Sequence, residues 1–353
     1  MAEFIVKTLI VILVFYAVRF LYNRFSGDKK QNNRSFSVYR ERKKDLKFDN
    51  SAIAWCANLL SVEVSVLEDI FRKDVYYMYD QWRIKKRSGG YRGIARPHKQ
   101  LMTIQKTICN RVLLPVNIHP AATGFRKGMS IIDNAKQHLG KEEVFKTDIV
   151  NFFYSIRQED VEKIFEQIGY PVTISKVLAE LCCLNNVLPQ GAPTSPALSN
   201  IYSYQMDKKL TALSYQLGLI YTRYADDLTF SGNNINPGFV LPAVKKIVNE
   251  EGFAVKRKKT RFIGRKKRKI ITGISVSSGK KLTIPKAKKR EIRKNVYFIL
   301  TKGLAEHQKY IQSTDPIYLK RLICYLSFWK MVEPENKYVT DSIIALKKIH
   351  KPN

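Results

Sequence analysis

Two adjacent carboxylates, Asp226 and Asp227, lie in the run Tyr-Thr-Arg-Tyr-Ala-Asp-Asp-Leu-Thr-Phe-Ser-Gly at 221–232. Aromatic and β-branched residues on both sides of Ala225, Asp226 and Asp227 predict a β-hairpin with the acids at its tip. Neighbouring acids repel unless a cation lies between or beside them. A pair of divalent ions roughly 3.5–4 Å apart is one such arrangement, and it drives in-line phosphoryl displacement. For an isolated Asp-Asp the competing reading is a solvated acidic turn. A third acid, Asp148, closes a short apolar strand at 143–148 and precedes Phe152, Phe153 and Tyr154. Three hard oxygen donors suit Mg²⁺, which completes its octahedron with substrate phosphates. The backbone carbonyl of Ile149 offers one further ligand.

Other segments must position these acids. Residues 81–97 read as two basic strands joined by a Ser-Gly-Gly turn. Their Arg92 is a guanidinium able to grip phosphate oxygens bidentately, or else a solvated strand charge. An apolar-periodic helix is expected over 101–116 and another helical region from about residue 50. Between Asp148 and the Asp-Asp pair lies Leu-Pro-Gln-Gly-Ala-Pro-Thr-Ser-Pro at 188–196. Ser195-Pro196 starts a helix with Leu198, Ile201, Met206, Leu210 and Leu213 on a buried stripe. A helix over 240–250 and a strand over 252–255 come next, and the strand runs into 256–269, where ten of fourteen residues are basic. Residues 280–353 combine Lys and Arg with helical apolar spacing.

The 353 residues carry 62 Lys and Arg against 30 Asp and Glu, a formal charge of +32. That excess calls for a polyanionic partner, nucleic acid first and a membrane surface second. With 45% hydrophobic residues the chain is expected to fold. Its five cysteines, odd in number and without C-x-x-C spacing, are expected to be reduced structural thiols rather than zinc ligands.

Residues 4–22 are nearly all apolar and as a helix would span roughly 28 Å, close to a hydrocarbon core. Lys7 and Arg19 stand near its ends, where long side chains snorkel. A dense Lys/Arg series from Arg19 onward places the remainder of the chain in the cytoplasm by the positive-inside rule. The expectation is a single-pass inner-membrane anchor over 1–25 and a basic linker over 26–47. The alternatives are an amphipathic or partner-binding helix and a cytoplasmic protein.

The ordered set Asp-Ile-x-x-Phe-Phe-x-Ser-Ile at 148–156, Pro-Gln-Gly at 189–191 and Tyr-Ala-Asp-Asp at 224–227 resembles the palm of reverse transcriptases. The resemblance implies an α+β right-hand polymerase, with fingers and palm over 48–275 and a helical thumb over 276–353. It implies that Asp148, Asp226 and Asp227 hold two Mg²⁺ ions, with Mn²⁺ able to substitute, and that deoxynucleoside triphosphates are substrates. Arg92 would meet the triphosphate and Phe153 would exclude a ribose 2′-OH. Gln190 and Gly191 would pack near template and nucleotide. Lys259 of the Lys-Thr pair at 259–260 would approach the triphosphate, with Lys258 as its competitor for that place.

Two triplets narrow the family. Asn134-Ala135-x-x-His138 and Ile271-Thr272-Gly273 are similar to segments of retron reverse transcriptases, with Ile271 where that family carries Val. His138 reads equally well as a satisfied core histidine. The resemblance implies RNA contacts by Asn134, His138, Ile271, Thr272 and Gly273. In the thumb it implies salt-dependent phosphate contacts by Lys286, Lys288, Lys289, Arg290 and Arg293. It further implies copying of a structured non-coding RNA into a short RNA-linked single-stranded DNA, msDNA, in anti-phage defence with a separate effector protein. The rival readings are another bacterial reverse transcriptase, of abortive-infection or group II intron origin, and a non-catalytic RNA-binding scaffold.

Overall fold

The computed structural model describes residues 48–86 and 89–350. The apolar stretch at 4–22, the basic linker at 26–47 and Arg87-Ser88 of the first hairpin turn lie outside the described residues. Among the described residues no single helix is long and apolar enough to cross a membrane. The described chain forms two compact units that divide between Pro285 and Lys286. Thr283 bridges back to Ser275, which keeps residues 276–285 with the first unit.

The first unit opens with α1 (Asn50–Leu60) and α2 (Val64–Arg72). Asp49 caps α1 by accepting from the Ser51 amide, and Ser61 ends it in the left-handed conformation. Strands β1 (Tyr79–Lys85) and β2 (Tyr91–Pro97) pair antiparallel, with Ile84 opposite Arg92. Helix α3 (Lys99–Ile108) continues through a π turn at Cys109–Leu113. Next come α4 (Ile131–Lys136), held by a Ser130/Asp133 capping box, and β3 (Glu143–Asp148). Helices α5 (Gln158–Ile168), α6 (Val172–Cys182), α7 (Ser195–Tyr202) and α8 (Tyr204–Gln216) lead to β4 (Ile220–Tyr224) and β5 (Asp227–Gly232). Helix α9 (Pro237–Glu250), strand β6 (Arg261–Ile263) and the hairpin β7 (Ile270–Ile271) and β8 (Ile274–Ser275) complete the unit.

The central sheet has the order β4-β5-β3-β6 and is antiparallel throughout. Its two inner strands are anchored by Phe145 opposite Phe230, with the Tyr221 ring stacked on Phe230 at 4.8 Å. Leu198, Met206, Leu210, Val240, Val244 and Val248 from α7 to α9 join the same core. Mixed helices and antiparallel strands match the α+β expectation.

Several elements differ in extent from the expectation. The helix from Ser195 is two helices separated at Ser203. Helix α9 begins at Pro237 because Asn236 accepts from the Gly238 and Phe239 amides and proline suits the first turn. The strand expected over 252–255 reduces to one bridge between Val255 and Ile149. There the chain is drawn into a 3-10 turn at Arg257–Lys259.

The second unit consists of α10 (Lys286–Lys302), α11 (Leu304–Tyr310), α12 (Tyr318–Val332) and α13 (Lys337–His350). Ile292, Val296 and Ile299 of α10 are buried, as their i, i+4, i+7 spacing predicts. Leu322, Leu326 and Trp329 of α12 and Val339 and Leu346 of α13 are buried with them.

Candidate active site

The predicted hairpin tip is a two-residue turn, Ala225-Asp226, between β4 and β5, and Asp227 is the first residue of β5. The β3–β5 register places Asp148 directly opposite Asp227. Asp226 joins them from the turn, where its carbonyl accepts the Ile149 amide at 2.8 Å. All three sequence-predicted acids therefore meet at one end of the central strands. Ile149 itself is buried, bridged to Val255 beside the acids.

Like charges directly opposed across a sheet are destabilising. Two lysines answer them here. Lys259 forms an ion pair with Asp148, and Lys146 Nζ lies 2.9 Å from Asp227 Oδ2. Burial, then the neighbouring Asp148, pushes the Asp226 carboxyl above its ordinary range. Burial also raises Asp227, against the opposing pull of Lys146. Among the described residues no three acidic, histidine or cysteine side chains gather closely enough to form a ready-made metal cage. Carboxylates that oppose one another and draw in lysines are hard oxygen donors of the kind divalent cations take. Such ions take one or two protein carboxylates and fill the rest with water and substrate phosphate.

Arg92 stands exposed on β2, and its charge acts on both Asp226 and Tyr154. Two contacts hold β2 toward the acids. The Tyr154 hydroxyl donates to the Gly93 carbonyl at 3.2 Å, and the Ala95 amide donates to the Gln190 carbonyl at 2.9 Å. Gly191 makes the second contact feasible. Its φ is +129°, and a Cβ there would lie 2.6 Å from the Ala95 carbonyl oxygen. Phe153 is half-buried, its ring centroid 5.4 Å from Phe152 and 6.1 Å from Phe125. Phe152 is the core residue of the pair, stacked on Phe253. Phe125 is half-exposed with φ +59°, an unusual conformation for a bulky residue, and its ring also approaches Tyr224. Lys259, not Lys258, pairs with Asp148.

Asn134 and His138 are 1% and 0% exposed, so direct RNA contact by these side chains is corrected. The His138 ring nitrogens Nδ1 and Nε2 each lie 2.7 Å from a hydroxyl, those of Ser231 and Thr222. Burial pushes this imidazole down to about 3, with Lys146 adding to the effect. A neutral ring thus braces the β4–β5 hairpin. The Asn134 amide accepts from Thr123 Oγ1 and donates to Thr272 Oγ1 at 3.3 Å. Ile271 is fully buried as well, and only Gly273 of its triplet is exposed. Thr272 and Gly273 form the two-residue β7–β8 turn with φ +46° and +85°, the positive pair of a type I′ hairpin.

In the helical unit, three of the five predicted phosphate ligands also contact protein. Lys288 Nζ lies 4.1 Å from the Tyr325 ring centroid and 2.8 Å from Glu291. Lys289 pairs with Glu333 at 2.6 Å and lies over Trp329. Arg293 stacks between Trp329 and Tyr338. These cation–π contacts fasten α10 to α12 and α13. Lys286, Arg290 and Arg293 are exposed.

The site includes residues that sequence reasoning passed over. Lys146 is two residues before Asp148, on the same strand face, so period-2 alternation could have found it. Phe125 carried no signal beyond its glycine-flanked segment. Arg223, buried beneath the turn, carried none that a sequence displays.

Residues 84–286 match the family model "Reverse transcriptase (RNA-dependent DNA polymerase)". The chain is 34% identical to the Retron Ec86 reverse transcriptase of Escherichia coli over 245 residues, covering 67% of this chain and 76% of that one. It is 30% identical to the Retron Ec83 reverse transcriptase of the same organism over 290 residues, or 76% and 90% of the two chains. Among solved structures, a foamy viral protease-reverse transcriptase in complex with double-stranded DNA aligns with a TM-score of 0.41. That alignment has 14% identity over 78% of this chain and 44% of that one.

Proposed function

Since this chain belongs to the family of reverse transcriptases, RNA-directed DNA polymerases, we infer that the end of the sheet carrying Asp148, Asp226 and Asp227 is its polymerisation centre. The carrying observation is the register that opposes Asp148 to Asp227 with Asp226 in the adjoining turn. These carboxylates, with the Ile149 carbonyl, would hold two Mg²⁺ ions. When bound, the ions lower the pKa of the primer hydroxyl and neutralise charge on the departing pyrophosphate. Lys259 and Lys146 then turn from the carboxylates toward the anionic substrate. Arg92 on its docked strand grips the triphosphate, and Phe153, backed by Phe125, presses against the sugar where a 2′-OH would clash. Gln190 and Gly191 set the height of that strand over the nucleotide.

The relatives are retron enzymes, and the reading extends to their substrate class. The template is a structured non-coding RNA, and the product is a short single-stranded DNA joined to it. The exposed Gly273 turn and the basic surface of 256–269 present donors and charge to RNA, giving largely sequence-blind affinity, while selectivity comes from unpaired loops and shape. Defence against phage with a separate effector belongs to the same reading. So does anchorage by residues 4–22, which would keep the catalytic unit on the cytoplasmic side of the inner membrane.

The test is expression with the native upstream flanking DNA, wild type beside Asp226→Asn/Asp227→Asn, followed by extraction of small nucleic acids. A discrete DNA that is lost in the variant and shortened by debranching enzyme establishes the reading. DNA synthesis without an RNA-linked product assigns the chain to another bacterial reverse transcriptase class. For the anchor, a chain lacking residues 1–24 should leave the membrane fraction, and unchanged fractionation refutes it.

A further inference from the structure

Below the catalytic turn lies a buried charge that touches neither metal ligand nor substrate group. Arg223, on β4, is fully buried, as is its partner Asp207 on α8. Its Nε donates to Asp207 Oδ1 at 2.8 Å and its Nη2 to Oδ2 at 2.6 Å, a bidentate fork. The Tyr221 hydroxyl donates to the same carboxylate at 2.8 Å. The remaining guanidinium nitrogen, Nη1, points back to the turn. It donates to the Ala225 carbonyl at 3.3 Å and to Asn200 Oδ1 at 3.1 Å.

The turn needs such a hold. Ala225 has φ +56°, in the left-handed region that a Cβ disfavours, so the local chain alone does not choose this conformation. Asn200 passes the restraint on: its amide donates to the Gly124 carbonyl at 2.9 Å. Gly124 packs flat against the turn, where a Cβ would lie 2.8 Å from the Ala225 amide nitrogen. The Arg223 backbone is fixed to the 121–123 segment, donating to Ala121 and accepting from Thr123, each at 2.8 Å. A buried ion pair is weak as a source of stability, and apolar residues of the same shape commonly replace one without loss. Its geometry here is spent on one backbone carbonyl adjacent to Asp226.

We propose that Arg223 is a positioning residue. Neutralised by Asp207 and tied to Asn200, it fixes the left-handed Ala225 and thereby sets where the Asp226 carboxylate stands. The proposal rests on the reading of Asp226 as a metal-binding carboxylate, and the experiment separates the two. Arg223→Lys keeps a cation against Asp207, so the core charge stays compensated, but one ammonium cannot also reach Asn200 and Ala225. Arg223→Met/Asp207→Leu removes the pair altogether and serves where the lysine variant does not fold. Each is measured on the full chain for melting temperature and for primer extension per active site titrated by burst amplitude. The Mg²⁺ concentration giving half-maximal rate is recorded. Mn²⁺ binding is followed by paramagnetic resonance with a dideoxy-terminated primer and dNTP.

The expected result is a folded enzyme whose rate per titrated site falls at least tenfold. Its Mg²⁺ midpoint should rise at least fivefold, with Mn²⁺ binding weakened in step. A purely structural pair would lower the melting temperature and the burst amplitude but leave the metal midpoint where it was, and that outcome overturns the proposal. Wild-type rate and midpoint in either folded variant also overturn it. Asp226→Asn is run in parallel: if it extends primers normally, the metal-site reading itself fails, whatever Arg223 does.

Discussion

Gly191→Ala tests how closely the Gln-Gly segment supports the Arg92 strand. The new Cβ would lie 2.6 Å from the Ala95 carbonyl oxygen and 3.2 Å from Ile94 Cγ2, in a backbone whose φ of +129° belongs to glycine. The conformation costs about 2 kcal/mol. Relieving the overlap by moving backbone costs about 2 kcal/mol more. Parting Ala95 from Gln190 forfeits their 2.9 Å hydrogen bond, about 1 kcal/mol. The sum is about 5 kcal/mol, which in a unit of this size lowers the melting temperature on the order of 10 °C. Gly273→Ala is the matched control. It also has positive φ, +85°, but nothing lies within 4 Å of its Cβ, so only the conformational cost of about 1 kcal/mol remains, about 2 °C. Thermal melts of both variants and the wild type give the comparison. Steady-state extension against dNTP concentration adds a second readout, because a displaced β2 carries Arg92 away and raises KM. If Gly191→Ala melts within about 3 °C of Gly273→Ala, close approach to Ala95 does not constrain position 191.

Three further outcomes follow from the site. Asp148→Asn, Asp226→Asn and Asp227→Asn should each reduce extension on the order of 10³-fold, since each withdraws charge from the metal-binding end of the sheet; activity within tenfold of wild type would contradict that role. Asp226 is raised by burial and then by Asp148, so the metal-free folded state holds its proton more tightly than the unfolded chain does. The sign is therefore that metal-free stability falls as pH rises through the carboxylate range, and Asp226→Asn should melt higher than wild type at pH 7 without metal. Mg²⁺ should stabilise the wild type more at pH 7 than at pH 5, and equal stabilisation at both would count against it. His138 is lowered to about 3 by burial and Lys146, so its contribution is complete above the unfolded value near 6.5 and is lost as pH falls toward 3. Wild type should lose stability against His138→Asn by about 1.4 kcal/mol per pH unit in that window, followed by urea titration.

How much was legible depended on how local each arrangement is. Asp148 and the Asp-Asp pair could be placed because strand alternation and a short turn fix them within a few residues. The Gln-Gly segment could be placed by resemblance, but its reason, a backbone approach to Ala95 some hundred residues earlier, is a tertiary fact. Asp207 and Arg223 lie on a helix and a strand whose facing sides are settled only by packing, so neither stood out from ordinary surface charge. Lys288, Lys289 and Arg293 have the spacing of phosphate ligands, and the contacts that Tyr325, Trp329 and Tyr338 make with them come from helices further along, which no local pattern displays. His138 illustrates the opposite case, where the less eventful reading, a satisfied core histidine, is the one the packing selects.

The hydrogen bond between Asn134 and Thr272 spans 138 positions and joins the two segments that narrowed the family. Thr272 is β-branched and left-handed, and its hydroxyl also donates to the Ile131 carbonyl. The two segments are therefore one structural unit rather than two. A substitution of Asn134 removes one donor to the Thr272 hydroxyl, so substitutions at the two positions should couple in a double-mutant cycle.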